Sequence, residues 1–139
     1  MKTRTVPSTN YAAGTYVQNI PPAAQRTFIG ATMRLTRESW PAGVDYALSD
    51  GSIVPNTACA VRLERTVNDV DWLKVGAWTF PGGIRLNRDG SERLEDSLQI
   101  AFFDGQGQPI ADNGDLRVIL EALVPLRTGI TAEMREVGD

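Results

Sequence analysis

The chain has 139 residues, with 14 Lys and Arg, 17 Asp and Glu, and a formal net charge of −3. This length fits one domain with a single core, and hydrophobic and charged fractions of 42% and 22% are typical of a globular protein. The sequence contains no histidine and one cysteine. That composition excludes histidine-based catalysis, histidine ligation of zinc or haem, an internal disulfide and a cysteine zinc cluster.

The charge and hydropathy patterns exclude further partners. Lys and Arg are not clustered, so a nucleic-acid surface is not expected, and no run of about 18 apolar residues predicts a transmembrane helix. The first five residues carry basic side chains without a following apolar segment, so we expect no secretory signal peptide. The single Cys59 fits synthesis in a reducing compartment. We therefore expect a protein made in the cytoplasm without a membrane or nucleic-acid partner.

Residues 1–24 are predicted to form an extended N-terminal arm. Pro7, Gly14, Pro21 and Pro22 interrupt the segment, and neither a helical nor a strand period is sustained. An extended segment with apolar side chains is expected to pack on its own domain or on a neighbouring subunit. The predicted contact residues of the arm are Val6, Tyr11, Tyr16, Val17 and Ile20.

Residues 25–139 are dominated by alternation of apolar and polar residues, the pattern of half-buried strands. Turn signals at residues 49–52 and 87–90 separate some of these segments. Strands are predicted at residues 27–36, 44–48, 57–67, 72–80, 98–103, 116–124 and 128–137, with Ile29, Ala31, Met33, Leu35, Cys59, Val61 and Leu63 pointing inward. Seven or eight strands without a long amphipathic helix predict an all-β, antiparallel two-sheet sandwich, of which the jelly roll is one form.

Once histidine and cysteine chemistry is excluded, carboxylates are the one kind of catalytic side chain that the sequence contains in number. The sequence pattern does not place any two of them as an acid/base pair. Residues 92–96 are typical of a solvated loop, and Asp69 and Asp71 of a turn. The loops at residues 104–108 and 112–115 offer oxygen ligands without the EF-hand spacing, which leaves calcium open there. We predict no catalytic residue, no cofactor and no metal ligand, and a protein that is not an enzyme.

The aromatic residues support a second interpretation. Trp72, Trp78 and Phe80 share parity on one predicted strand, and Trp40 and Tyr46 flank the preceding loops. Aromatic rows with polar neighbours bind sugar rings in carbohydrate-binding sandwiches, whereas buried Trp is common in sandwich cores. Core or interface Trp is the favoured interpretation. The alternative makes Trp40, Tyr46, Trp72 and Trp78 a ligand-stacking platform.

Three segments carry a resemblance to a known class of proteins: the arm at residues 1–24, the strand FIGATMRL at residues 28–35, and the turn segment at residues 102–110. In this layout the chain resembles the small β-sandwich accessory proteins of tailed-phage virions, such as capsid decoration (cement) proteins. The resemblance implies homo-oligomers, for example trimers, seated on a capsid lattice, and thus a virion location after synthesis in the host cytoplasm. It carries over no site residue.

Together these features predict a non-enzymatic assembly protein that binds copies of itself and a capsid or other virion protein. It would bury apolar surface and pair sheet edges between subunits, with the arm as contact. The alternative function is a carbohydrate-binding β-sandwich module.

Overall fold

The computed structural model of the chain describes residues 2–20, 28–66, 71–101, 106 and 116–136. Nine strands fill most of this part of the chain, and it contains no helix. The strands are β1 (Lys2–Tyr11), β2 (Gly14–Ile20), β3 (Phe28–Thr36), β4 (Val44–Ala47), β5 (Ile53–Thr66), β6 (Trp72–Pro81), β7 (Glu95–Ala101), β8 (Leu116–Ala122) and β9 (Leu126–Glu136).

The strands form two antiparallel sheets that pack face to face. Sheet A has the order β1-β9-β3-β7, and sheet B has the order β2-β8-β5-β4, with β6 also paired to β5. The predicted all-β, two-sheet sandwich is confirmed, while the jelly-roll connectivity stays a prediction. Strand β7 lies at an edge of sheet A, since it pairs with β3 alone among the described strands.

The core lies between the two sheets and follows the alternation of the sequence. Every second residue of β3 and β5 turns inward, and Met33, Leu35 and Leu63 are fully buried. Burying one such side chain stabilises the fold by about 1.5–3 kcal/mol. The other members of the core are Ala31, Trp40, Ala58, Cys59, Val61, Phe80, Ile100, Val118, Leu120, Ala122, Leu126 and Ile130.

The N-terminal segment is extended, as predicted, but it is paired within its own chain. Strand β1 pairs with β9 of sheet A, and β2 pairs with β8 of sheet B. Between them, the rings of Tyr11 and Tyr16 meet edge to face at 4.8 Å and pack against the core. The two strands are therefore edges of the sandwich itself, which differs from an arm lying outside the domain. Contact of this segment with other subunits stays a prediction.

A bulge in β6 changes which side chains share a face. Leu63 of β5 lies opposite Gly76, but the next residue, Glu64, lies opposite Lys74, so Val75 is an extra residue in β6. A single inserted residue moves all following side chains to the opposite face of a sheet.

The bulge separates the aromatic residues that the sequence placed on one face. Trp78 and Phe80 point into the sandwich, where they pair with core positions of β5, and a methyl group added at Gly76 would overlap the Trp78 indole. Trp72 lies before the bulge on the outer face, where the Arg117 guanidinium stacks on its ring at 4.1 Å. The prediction that Trp72, Trp78 and Phe80 share one face is therefore wrong.

Candidate functional site

Two β-hairpins have the same turn sequence. The first, at residues 44–57, consists of β4 and the first part of β5, and we call it the folded-back hairpin. The second, at residues 83–94, lies between β6 and β7, and we call it the projecting hairpin. Each turns through Asp-Gly-Ser, at residues 50–52 and 89–91.

The two turns have the same hydrogen bonds. The N–H of Leu48 donates to the Ser52 carbonyl, and the N–H of Asn87 to the Ser91 carbonyl, both at 2.8 Å. In each turn the aspartate Oδ1 accepts bonds from the N–H and the hydroxyl of the serine two residues later. These bonds lower the pKa of Asp50 and the pKa of Asp89. The turn geometry is thus set locally.

The folded-back hairpin takes its direction from a tightly packed corner. Asn56 has a φ of +52°, and its side-chain oxygen accepts a bond from the Gly43 N–H at 2.7 Å while its amide donates to the Gly82 carbonyl at 3.3 Å. A methyl group added at Gly82 would overlap the Pro41 carbonyl oxygen. The glycines therefore allow two backbone segments to cross where β5 changes direction.

Beyond this corner the hairpin lies over the outer face of sheet B. Tyr46 pairs with Val54, yet its hydroxyl donates to Glu121 Oε2 at 3.0 Å, and Glu121 lies opposite Ala60, six positions further along β5. Burial raises the pKa of Tyr46, and the bond to Glu121 raises that pKa further, against a smaller opposite effect of Arg62. The phenol therefore stays protonated and holds the hairpin to the sheet.

Between the folded-back hairpin and sheet B lies a cavity of about 410 Å³, called the sheet groove. Residues of β5, β6 and β8 on the outer face of sheet B form the floor of the groove, and residues of the hairpin form its wall. Apolar and charged groups alternate across this face, because Arg62 lies beside Ile119 and Ala77, and Ala60 lies beside Glu121 and Thr79. The lining residues are Tyr46, Ala47, Leu48, Ser49, Ala60, Val61, Arg62, Lys74, Ala77, Trp78, Thr79, Ile119 and Glu121.

A paired carboxylate fixes the arginine of the groove. Glu64 is 8% exposed and accepts bonds from Arg62 Nε at 2.9 Å and from Arg117 Nε at 2.7 Å and Nη2 at 2.6 Å. Burial raises the pKa of Glu64, but the bonds and charges of Arg117 and Arg62 more than offset this and leave that pKa below its usual value. Glu64 points to the outer face of sheet B, and its arginine partners cover it.

The projecting hairpin exposes three large apolar side chains. Ile84, Leu86 and Leu94 are 75%, 62% and 63% exposed. Beside them, between the hairpin and residues 36–41, lies a cleft of about 670 Å³ with Pro41 and Pro125 on its walls. An apolar cluster of this kind, next to a cleft, is typical of a protein-binding surface.

Arg37 anchors the base of the projecting hairpin. Its side chain is buried, donates from Nε to Asp96 Oδ2 at 2.6 Å, and donates to the carbonyls of Pro81 and Gly83. Its guanidinium also stacks on the Trp40 ring at 4.1 Å. The hairpin therefore projects from a fixed base.

The structure does not assemble the four predicted stacking residues into one platform. Trp40 is in the core, with its indole N–H donating to the Arg127 carbonyl at 3.1 Å. Trp72 is stacked by Arg117, and Trp78 packs on the core while bordering the sheet groove. Because Trp40 is buried, it is unsuited to stack on a sugar. Tyr46 differs from the other three in that its hydroxyl lies in the groove wall.

The predicted contact residues of the arm are also dispersed. Tyr11 and Tyr16 pack together against the core, and the Tyr16 hydroxyl donates to the Ala12 carbonyl at 2.8 Å. Val17 is exposed on the outer face of sheet B. Val6 and Ile20 are described by their backbone pairing alone, opposite Ile130 and Leu116.

Of the carboxylates considered for catalysis, Asp96 has a partner and Asp69 lies outside the described residues. Asp96 is bound to Arg37, and burial raises the pKa of the Cys59 thiol to about 12, so this cysteine is unreactive. Within the described residues there is no cluster of three possible metal ligands. The predicted turns at 104–108 and 112–115, with their open question of calcium, lie outside the described residues except for Gln106.

The described residues contain no helix that is long and apolar enough to cross a membrane.

Sequence reasoning missed both surfaces. The alternation of Ile84 and Leu86 with Arg85, directly before a turn, was a usable signal for the projecting hairpin. The sheet groove left no such signal, because Arg62, Lys74 and Glu121 come from three strands that meet only in the folded sheet.

No protein-family model matches the sequence, and a search of curated proteins finds no match.

Proposed function

We propose that the chain is a non-enzymatic structural subunit that assembles with copies of itself through the projecting hairpin. The observation that carries this proposal is the exposure of Ile84, Leu86 and Leu94 on one hairpin with a fixed base. Monomeric proteins rarely expose such a cluster. A partner that covers it removes apolar area from water, and each Å² removed stabilises the complex by about 25 cal/mol.

The charges around these side chains support a second copy as the partner. The projecting hairpin carries Arg85, Arg88 and Arg93 together with Asp89 and Glu92. A surface with both signs can pair with itself, since an arginine of one copy can lie opposite a carboxylate of the next. The adjoining cleft offers room for the apolar side chains of the neighbouring hairpin.

The more specific proposal is that this assembly belongs to a phage virion, where the chain decorates or stabilises the capsid. The support for it is the layout of the chain, which resembles that of the small β-sandwich accessory proteins. In that setting the capsid protein is the second partner, and a closed homo-oligomer, such as a trimer, is the assembling unit.

Light scattering after size exclusion, over a range of protein concentrations, tests the self-association. We expect the wild-type chain to have a mass that is a multiple of 15.2 kDa. The double substitution Ile84→Ser and Leu86→Ser should reduce this mass to that of one chain, because it removes the central apolar contacts.

The matched control changes two equally apolar side chains elsewhere. Val17 and Ile53 are 57% and 55% exposed and lie outside the projecting hairpin, so Val17→Ser with Ile53→Ser should leave the mass unchanged. A wild-type chain that stays a monomer at every concentration, or an oligomer that survives the hairpin substitutions, would overturn the proposal.

A further inference from the structure

We propose that the sheet groove is a binding site for an acidic saccharide, an oligosaccharide that contains uronic acid. This site is separate from the projecting hairpin and does not rest on the proposed assembly. Its volume of about 410 Å³ lies within the range of roughly 300–1,000 Å³ that small-molecule sites occupy.

Two cations of the groove are available to a ligand carboxylate. Lys74 is exposed and, within the described part of the chain, its side chain has no ion pair or hydrogen bond. Arg62 uses Nε for Glu64 and is 46% exposed, and its two terminal nitrogens have no contact with a described residue. Both side chains lie on the outer face, on either side of the bulge, with Lys74 opposite Glu64. The terminal nitrogens of Arg62 and the Lys74 ammonium can therefore bind one ligand carboxylate.

The opposite side of the groove suits hydroxyl groups. Glu121 accepts one bond, from Tyr46 at 3.0 Å, and a carboxylate has further acceptor positions that sugar hydroxyls can fill. Thr79 adds a hydroxyl that can donate or accept. A negative Glu121 also disfavours a ligand with a second negative charge nearby, which argues against a phosphate monoester.

The floor of the groove combines small apolar side chains with Arg62. Ala60 lies diagonal to Ala77 and Ile119, and Arg62 lies between Ala77 and Ile119, so the two alanines leave the floor low on either side of the arginine. The C–H face of a sugar ring matches such a floor, and the half-buried Tyr46 provides an aromatic wall. A ligand with one carboxylate, several hydroxyls and an apolar ring face therefore matches the cations, the hydroxyl-binding side and the floor of the groove.

The site is held in place before a ligand arrives. The bond that Arg62 Nε donates to Glu64 orients Arg62, and the bond from Tyr46 to Glu121 fixes the hairpin wall. Fixed groups lose less conformational entropy on binding, so affinity does not depend on a rearrangement.

Titration calorimetry with a disaccharide of galactose and glucuronic acid, which carries a single carboxylate, tests the site. Its methyl ester is the matched probe because it keeps the hydroxyls and removes the charge. We expect the acid to bind at least about tenfold more tightly than the ester, the effect of losing a hydrogen bond to a charged group. Lys74→Met should weaken binding of the acid by about tenfold for the same reason. Arg88→Met, which removes a cation of the projecting hairpin, should leave the affinity unchanged.

A second variant keeps the test decisive if Lys74→Met is ambiguous. Ala77→Asp places a negative charge at an exposed position of the floor, so it should abolish binding without disturbing the core. Equal affinity for acid and ester, no effect of either groove variant, or no binding of this disaccharide and of its galacturonic acid counterpart would overturn the proposal. Equal binding of an amidated Gly-Glu-Gly peptide, which also carries one carboxylate, would overturn the saccharide class.

Discussion

The folded-back and projecting hairpins share a turn and differ in the direction they take. Both close through Asp-Gly-Ser with the same backbone bonds and a left-handed glycine, Gly51 or Gly90. The first returns over sheet B, where it forms the wall of the sheet groove. Each hairpin exposes three large apolar side chains, but those of the projecting hairpin are 62–75% exposed and those of the folded-back hairpin 38–55%.

The difference arises at the bases of the hairpins. The folded-back hairpin is turned by the corner at Asn56 and held by Tyr46, whose partner Glu121 is 75 residues away in sequence. The projecting hairpin is tied at its base by Arg37, and its tip makes its described bonds within the hairpin. Identical turns can therefore build a groove in one place and an exposed apolar surface in another.

The largest effect is expected from removing the anchor of the projecting hairpin. Arg37→Met should lower the free energy of unfolding by about 3 kcal/mol, because it leaves the half-buried Asp96 carboxylate and two carbonyls without their main donor. Urea unfolding measures this loss. Arg127→Met is the control, since Arg127 forms an exposed ion pair with Glu38 and should cost less than about 1 kcal/mol. Equal losses for both variants would show that Arg37 is not an anchor.

The next effect tests the corner of the folded-back hairpin. Gly82→Ala should destabilise the chain by about 2 kcal/mol, because the added methyl group overlaps the Pro41 carbonyl and forces the backbone apart. The same variant should loosen the hairpin, which amide hydrogen exchange at Leu48 and Tyr46 would report. Protection that stays at the wild-type level would mean that the corner does not set the hairpin's direction.

A smaller effect is expected beneath the groove. Glu64→Gln should cost about 1–2 kcal/mol at neutral pH, because it removes a carboxylate bound by two arginines. The folded-state pKa of Glu64 lies below its ordinary value of 4.5. The stabilisation is therefore complete above that ordinary value and is lost as the pH falls through the lower folded value.

Unfolding measured from neutral to acidic pH checks this prediction. The difference between wild type and Glu64→Gln should be constant near neutrality and should close in acid. A difference that grows on acidification would contradict the assigned direction of the shift.

The smallest effect compares the two turns directly. Gly51 and Gly90 have φ angles of +90° and +86° and open space around them, so an alanine at either position meets strain and no clash. Each substitution should cost about 1 kcal/mol, and the two losses should agree when measured by thermal unfolding. Unequal losses would show that the surroundings of a hairpin change the energy of its turn.

Much of the fold was predictable because its signals are local. The alternation in β3 and β5 correctly placed Met33, Leu35 and Leu63 in the core. The bulge at Val75 was not predictable, since one extra residue does not disturb the pattern enough to be seen. The sequence did not reveal that β1 and β2 are strands of the sheets. An edge strand is defined by the strand with which it pairs, and the partners β9 and β8 are distant in sequence.

The sequence by itself determined the all-β class, the inward faces of β3 and β5 and the Asp-Gly-Ser turns, because each depends on residues within a few positions of one another. The tertiary structure alone decided where the two hairpins point, which charges meet at Arg62 and Lys74, and which apolar side chains remain exposed. Those outcomes depend on contacts such as that of Tyr46 with Glu121, in which the partners are brought together by sheet pairing rather than by spacing along the chain.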